Sequence, residues 1–88
     1  MKVSVVGTGY VGLVTGATLA DLGNQVVCLD IAEEKINILN SGKSPIYEPG
    51  LDKLIQQGLK AKNLKGSTEI KQNIRNSDIT FILSLIHI

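Results

Sequence analysis

Three glycines and one aspartate form the pattern with the clearest chemical meaning in this sequence. Gly7, Gly9 and Gly12 occur in GTGYVG, directly after a run of β-branched residues, and Asp30 follows Gly12 by 18 residues. In a strand–GxGxxG–helix unit the first glycine permits a tight turn, the second lets a pyrophosphate approach the backbone, and the third lets the helix pack closely on the strand. The spacing therefore predicts a dinucleotide site, with the pyrophosphate at the N-terminus of the helix that begins near Tyr10.

The same stretch permits two other interpretations, a secretory signal and a loosely packed core segment. A lysine followed by apolar residues and ATLA imitates a signal peptide, but three glycines interrupt the apolar run, and each costs a helix about 1 kcal/mol relative to alanine. The sequence has no stretch of 18 uninterrupted apolar residues for a membrane span. We therefore expect no membrane partner and a cytoplasmic location.

Asp30 lies where the second predicted strand ends. A carboxylate at that point can accept hydrogen bonds from both ribose hydroxyls of an adenosine, each contributing about 1.5–3 kcal/mol, and it would repel a 2′-phosphate. NAD is therefore favoured over NADP. In the alternative interpretation Asp30 only caps the following helix, and the two roles are compatible. Lys35, taken alone, reads as a solvated lysine on that helix.

Size and composition limit the classes of function. With 88 residues, of which 43% are hydrophobic and 19% charged, the chain can form one small core. The formal net charge is +1, and no basic cluster predicts a nucleic-acid partner. Cys28 is the only cysteine and has apolar neighbours, so we expect a small buried side chain and no disulfide or metal site. His87, the only histidine, is given no chemical role.

Hydrophobic periodicity alternates between strand and helix along the chain. We expect strands over residues 3–6, 25–29, 64–68 and 79–83, and helices from Tyr10 to Leu22 and over residues 32–41, 51–60 and 69–76. The apolar stripe expected to pack the first helix on the sheet consists of Val11, Val14, Thr15, Thr18, Leu19 and Leu22. This alternation predicts an α/β fold, a truncated Rossmann-like doubly wound parallel sheet in strand order 3-2-1-4.

Two longer stretches resemble the N-terminal part of UDP-glucose 6-dehydrogenases, which belong to the UDP-glucose/GDP-mannose dehydrogenase family. They are VVGTGYVGLVTGATLADLGNQVVCLDIAEEKI and LNSGKSPIYEPGLDKLI. The loop SPIYEPGL is the more specific signal, because a generic Rossmann protein has no need of it. The resemblance runs to about Ile82 and leaves 83–88 (LSLIHI) as an atypical tail. We therefore expect residues 1–88 to form a partial NAD-binding domain, the tail being the foreign end of an interrupted reading frame.

The resemblance implies an enzyme that oxidises UDP-glucose to UDP-glucuronate by two successive hydride transfers to NAD. It implies cofactor contacts for eight residues of this chain: Gly7, Thr8, Gly9, Tyr10, Val11, Gly12, Asp30 and Lys35. Lys35 thereby changes from a solvated to a cofactor-binding residue. The family's catalytic cysteine and its sugar-nucleotide domain have no counterpart here, so no catalytic residue is assigned, and Cys28 is not the nucleophile.

These observations predict a fragment that binds at most the ADP half of NAD and is inactive by itself, with UDP-glucose a partner only of the full-length enzyme. A sheet face left open would favour self-association. One alternative is a regulatory Rossmann module that binds NAD or another adenine nucleotide without catalysis. Another is a dehydrogenase of hydroxyacids or acyl-CoA, which would share the glycine motif but not the proline loop.

Overall fold

The computed structural model describes residues 1–44 and 48–83 of the chain. Over these residues the elements are, in order, β1 (Lys2–Val6), α1 (Tyr10–Asp21), β2 (Gln25–Leu29), α2 (Glu33–Asn40), α3 (Leu51–Lys60), β3 (Leu64–Ser67), α4 (Ile70–Arg75) and β4 (Ile79–Ile82). The predicted strands and helices are confirmed, with their ends shifted by a residue or two. Part of the predicted SPIYEPGL loop, residues 45–47, and of the predicted tail, residues 84–88 with His87, lies outside the described residues.

The four strands form one parallel sheet in the order β3-β2-β1-β4, as the sequence predicts. Val5 of β1 pairs with Cys28 of β2 on one side and with Phe81 of β4 on the other. Because β1 and β2 are adjacent and parallel, their carboxyl ends meet at the same edge of the sheet. Residues that follow these two strands, Gly7 and Asp30, are therefore brought together from distant parts of the sequence.

Three helices pack on one face of the sheet, and α4 packs against β1 on the other. An added Cβ at Gly16 of α1 would meet Cys28, one at Gly58 of α3 would meet Leu64, and one at Gly66 of β3 would meet side chains of α2. On the opposite face Ser4 is buried, and its hydroxyl donates to the Asn73 carbonyl oxygen of α4 at 3.2 Å. The face with the three helices holds the core.

The core consists of strand side chains on this face and of the helix residues that cover them. Its buried members are Val3, Val5, Leu13, Ala17, Ala20, Val26, Cys28, Leu39, Leu51, Ile55 and Leu64. β-branched residues dominate the strands and small or unbranched ones dominate α1, in keeping with the preferences of the two kinds of element. The core thus anchors α1 firmly beneath the edge where β1 and β2 end.

The buried face of α1 differs from the predicted stripe. The buried residues are Gly12, Leu13, Gly16, Ala17 and Ala20, whereas Val11 and Leu22 are 56% and 73% exposed. An added Cβ at Gly16 would lie 2.7 Å from the Sγ atom of Cys28, so α1 lies close to the sheet at this point and a larger residue would clash. The predicted stripe is right in part, because Val14 and Leu19 pack against the core, but the fully buried face is formed by Leu13 together with glycine and alanine residues.

The edge strand β4 carries three exposed apolar side chains. Ile79, Phe81 and Ile82 are 42%, 37% and 70% exposed, and the self-association expected from the sequence stays a prediction. In the described parts of the chain, no helix combines the length and the apolar character that crossing a membrane requires.

Candidate cofactor-binding site

The site is built at the edge where β1 and β2 end. Gly7 follows β1 directly, and its N–H donates to the Leu29 carbonyl oxygen of β2 at 2.7 Å. This bond ties the loop after β1 to the last residue before Asp30. Gly7 has φ +107°, a left-handed conformation that L side chains rarely adopt. The chain can therefore turn sharply from strand to helix here because the residue is glycine.

The other two glycines of the motif have opposite surroundings. A Cβ at Gly12 would lie 2.0 Å from the carbonyl oxygen of Gly7, so the first turn of α1 touches the strand end. A Cβ at Gly9 would have nothing within 4 Å. The geometry agrees with a packing role for Gly12. At Gly9 it leaves free space, as the approach of a ligand would require.

The N-terminus of α1 opens onto this space. Gly9 is the N-cap, and the first intrahelical bond runs from the Leu13 N–H to the Gly9 carbonyl oxygen at 3.0 Å. The N–H groups of Tyr10, Val11 and Gly12 precede that bond, and no side chain caps the helix within the described residues. Uncapped N–H groups and the positive end of the helix dipole favour an anion at this point.

Asp30 lies beside the loop and is held from within the chain. Its Oδ2 atom accepts hydrogen bonds from the Thr8 N–H at 3.0 Å and from the Thr8 hydroxyl at 2.6 Å. Its Oδ1 atom accepts the Ala32 N–H at 2.9 Å. The alternative in which Asp30 caps the following helix is wrong in detail, because α2 has Ala32 as its N-cap and no capping side chain. Asp30 instead orders the turn before α2.

These surroundings keep the carboxylate ionised. Partial burial by itself would raise the pKa of Asp30, but the hydrogen bonds from Thr8 and Ala32 and the positive charge of Lys35 outweigh it, and the pKa lies below its ordinary value. Lys35 is exposed in the first turn of α2, close enough for its charge to act on Asp30. Asp30 is therefore a fixed negative charge next to the anion-favouring end of α1.

The predicted site residues fall into three groups. Gly7 to Gly12 and Asp30 meet at one edge, and Lys35 is close enough for its charge to lower the pKa of Asp30. Thr8 was predicted to contact the cofactor together with the rest of the loop. It is only 1% exposed, and its hydroxyl donates a hydrogen bond to Asp30. A threonine at this position of the motif does not by itself predict a hydrogen bond to Asp30.

Sequence reasoning missed one exposed residue at the site. Ile31 follows Asp30 and is 85% exposed, the highest value among the large apolar side chains described. The available signal was an isoleucine directly after a strand-ending acid, where a polar turn residue is the usual choice. An apolar side chain in this position offers a surface for a flat, weakly polar group.

Cys28 is unsuited to chemistry. It lies in the middle of β2, is 1% exposed, and burial raises the pKa of its thiol to about 12. The predicted small buried side chain is confirmed. Over residues 1–44 and 48–83, no three histidine, cysteine or acidic side chains are grouped to hold a metal ion.

The site's groups fit the adenosine diphosphate part of a dinucleotide. The free N–H groups of α1 and the space above Gly9 suit a pyrophosphate, and a carboxylate with an unused lone pair suits a ribose hydroxyl. The arrangement can therefore bind and orient a nucleotide.

Known proteins are similar to this chain in sequence and in fold. GDP-mannose 6-dehydrogenase of Pseudomonas aeruginosa is 44% identical over 82 residues, which are 93% of this chain and 19% of that protein. UDP-glucose 6-dehydrogenase TuaD of Bacillus subtilis is 49% identical over 81 residues, 92% of this chain and 18% of that protein. The chain therefore spans about a fifth of the length of the curated relatives it matches.

Solved structures agree. A ternary complex of GDP-mannose dehydrogenase from Pseudomonas aeruginosa matches with a TM-score of 0.91 and 44% identity, over 93% of this chain and 19% of that one. A UDP-glucose dehydrogenase from the archaeon Pyrobaculum islandicum matches with a TM-score of 0.90 and 34% identity, over 94% and 19%. Both similarities lie in the range where fold and family are shared.

The family profile covers nearly the whole chain. Residues 1–84 match the profile described as the NAD binding domain of the UDP-glucose/GDP-mannose dehydrogenase family, which includes the glycine loop, Asp30 and Lys35. This match confirms the resemblance inferred from GTGYVG and SPIYEPGL and identifies NAD as the cofactor of the domain. The chain belongs to the UDP-glucose/GDP-mannose dehydrogenase family, in which it corresponds to the NAD-binding domain.

Proposed function

We propose that residues 1–88 form a partial NAD-binding domain that binds the ADP half of NAD. The observation that carries the proposal is the convergence, at one sheet edge, of an uncapped helix N-terminus, open space at Gly9 and the ionised carboxylate of Asp30. These groups match two chemically distinct parts of that ligand half, the pyrophosphate and the ribose.

Each part of the ligand has a proposed partner. The pyrophosphate accepts hydrogen bonds from N–H groups in the first turn of α1, where Tyr10 and Val11 begin the helix. The adenosine ribose donates to Asp30, and Lys35 contacts the cofactor from the first turn of α2. The exposed side chain of Ile31 lies against one face of the adenine. Asp30 disfavours a 2′-phosphate by charge repulsion, which selects NAD over NADP.

For the enzyme as a whole we propose oxidation of UDP-glucose to UDP-glucuronate with NAD. The 49% identity to TuaD supports this substrate. GDP-mannose is the second candidate, supported by 44% identity to the Pseudomonas aeruginosa enzyme. Family membership favours a dehydrogenase over a regulatory module that only senses a nucleotide, and a cytoplasmic location remains part of the proposal.

The 88-residue chain by itself is proposed to bind without turning over substrate. Its only cysteine is buried with a pKa of about 12, so it cannot supply the thiolate that the family resemblance implies for this oxidation. Cofactor binding and chemistry therefore reside in different parts of the proposed enzyme.

Calorimetric titration of the chain with NAD, ADP-ribose and NADP tests the binding proposal. We expect NAD and ADP-ribose to bind with similar affinity, because the proposed contacts are confined to the shared ADP half. NADP should bind at least about tenfold more weakly, a discrimination of ~1.4 kcal/mol. The matched variants are Asp30→Ala, which should weaken NAD and ADP-ribose binding at least about tenfold, and Asp21→Ala, which removes an acid at the far end of α1 and should leave binding unchanged.

Two results would overturn the proposal. One is the absence of NAD and ADP-ribose binding by a chain whose circular dichroism spectrum shows the α/β fold. The other is equal affinity for NAD and NADP, which would remove Asp30 from the ribose site.

A further inference from the structure

We propose that Thr8 is a positioning residue, whose hydroxyl orients the Asp30 carboxylate so that Oδ1 faces the ribose and the selectivity for a 2′-hydroxyl is set. This inference deepens the proposed function and rests on it, since it concerns the same ribose subsite. It assigns Thr8 a role through Asp30, in place of the direct cofactor contact predicted from the family resemblance.

The hydrogen-bonding capacity of the carboxylate carries the argument. A carboxylate has about four acceptor positions, two on each oxygen. Thr8 occupies both positions on Oδ2, with its N–H at 3.0 Å and its hydroxyl at 2.6 Å. Ala32 occupies one position on Oδ1 through its N–H at 2.9 Å. Among the described residues these bonds leave one acceptor position, on Oδ1. One ribose hydroxyl therefore binds there, and not the two expected from the sequence.

Because Thr8 is buried, its side chain bonds to a group within the protein. The residue is 1% exposed, although it lies between Gly7 and the exposed Gly9 in the loop that faces the ligand. Its hydroxyl donates its only proton to Asp30, at a distance typical of a short hydrogen bond to a charged oxygen. The hydroxyl therefore has no proton left to donate to a phosphate, and its place in the motif serves the carboxylate.

Fixing Oδ2 also fixes the plane of the carboxylate. Without the Thr8 hydroxyl, Asp30 would keep one bond to each oxygen, from the N–H groups of Thr8 and Ala32. Its freed acceptor position on Oδ2 would bind water or turn toward the ribose. The carboxylate would then be ordered by the ligand on binding, and part of the affinity would be lost to that ordering.

The experiment compares Thr8→Val, which replaces only the hydroxyl by a methyl group, with Thr8→Ser, which keeps the hydroxyl. The ligands are ADP and 2′,3′-dideoxyadenosine 5′-diphosphate, measured by calorimetry on the 88-residue chain. Thr8→Val should weaken ADP binding about tenfold, equivalent to ~1.4 kcal/mol, and leave the dideoxy compound within about twofold. Thr8→Ser should retain the wild-type affinity for both. Thr18→Val, the same change on the exposed side of α1, is the control.

A double-mutant cycle separates positioning from a general effect on the loop. In an Asp30→Ala background, Thr8→Val should cause no further loss of binding to either ligand, because the group it positions is absent. Equal losses for ADP and the dideoxy compound, or an undiminished loss in the Asp30→Ala background, would overturn the inference. So would unchanged ADP binding by Thr8→Val.

A measurement without ligand keeps the inference testable on its own. Thr8 contributes to the low pKa of Asp30, so Thr8→Val should raise the pKa of that carboxyl, followed by the side-chain ¹³C signal in an NMR titration. An unchanged pKa overturns the positioning role even if ADP binds. Conversely, a raised pKa in a folded chain that binds no ADP overturns the proposed function and leaves the hydrogen bond from Thr8 to Asp30 established.

Discussion

Single residues in the glycine loop divide into those that shape the backbone and those that leave room for a ligand. At Gly12 an added Cβ would lie 2.0 Å from a backbone oxygen, and at Gly9 it would meet nothing within 4 Å. Gly12→Ala should therefore destabilise the fold by about 1–3 kcal/mol or more. Gly9→Ala should change the stability by less than about 1 kcal/mol yet abolish NAD binding. Urea unfolding and calorimetric titration measure the two effects separately.

The contrast between these two variants is the informative result. Loss of stability in Gly9→Ala would mean that Gly9 is a structural residue and that the space beside it belongs to no ligand. Full binding of NAD by a stable Gly9→Ala variant would remove the pyrophosphate from the proposed position.

At Asp30 the prediction concerns pH. Because the pKa of the folded state is lowered, ionisation of Asp30 stabilises the fold above its unfolded pKa of about 3.9, and this contribution is lost as the pH falls through the folded value. The difference in unfolding free energy between the wild type and Asp30→Asn should be constant above about pH 5 and shrink below pH 4. Urea unfolding at several pH values gives that difference. A difference that grows on acidification would contradict the lowered pKa.

The residues of the site were predictable to different degrees. Gly7, Gly12 and Asp30 carry roles that follow from spacing, because a turn, a close contact and a strand-end acid each demand one residue type. The role of Thr8 does not follow from spacing, because a threonine in a loop is compatible with many partners. Only the adjacency of β1 and β2 brings it to Asp30. Ile31 was missed for a related reason, as the exposure of a side chain depends on tertiary structure.

At the scale of an element, the packing of α1 on the sheet depends on Gly16 and Cys28. An added Cβ at Gly16 would lie 2.7 Å from the Cys28 Sγ atom but at ordinary contact distances from Val26 and Val5. Gly16→Ala should therefore destabilise the fold by about 1–3 kcal/mol. In the double variant with Cys28→Ala the new methyl group occupies the space of the sulfur, so stability should recover by ~1 kcal/mol or more relative to additivity. Urea unfolding of the four proteins of the cycle measures this coupling.

A control and a contradicting outcome complete this cycle. Gly16→Ala combined with Thr18→Ala, on the exposed side of α1, should be additive. Additivity with Cys28→Ala as well would mean that α1 can shift away from the sheet, and the close approach would then not be fixed by this contact.

The elements were predicted well, and the orientation of one of them was not. Alternation of strand and helix patterns fixed the order of the elements and the sheet, because each β-branched run is short and bounded by glycine or a polar residue. In α1 the predicted stripe was right only in part, since Val14 and Leu19 pack against the core but Val11 and Leu22 are exposed. Apolar periodicity carries no information about the distance between the helix and the sheet. At the close distance found here, Gly12, Gly16 and Ala20 are small enough to pack against the sheet.

At the scale of the whole molecule, the parallel sheet forms the site from two elements that are distant in the sequence. It brings the end of β1 and the end of β2 to one edge, so that a loop near residue 8 and an acid at residue 30 form one site. A domain of this size buries a limited fraction of its surface and has a small free energy of unfolding. Ligand binding should then contribute a large share of the stability of the bound state.

That share can be measured by thermal unfolding. At 100 times its dissociation constant a ligand adds about 2.7 kcal/mol to the stability of the folded state, and 1 kcal/mol corresponds to roughly 4–8 °C in a domain of this size. NAD and ADP-ribose should each raise the midpoint by about 10–20 °C. Nicotinamide mononucleotide should not raise it at the same concentration, because the described site holds only groups that suit the ADP half. Stabilisation by the mononucleotide would place a nicotinamide subsite within this chain, while equal stabilisation by NAD and ADP-ribose would confine recognition to the edge formed by β1, α1 and β2.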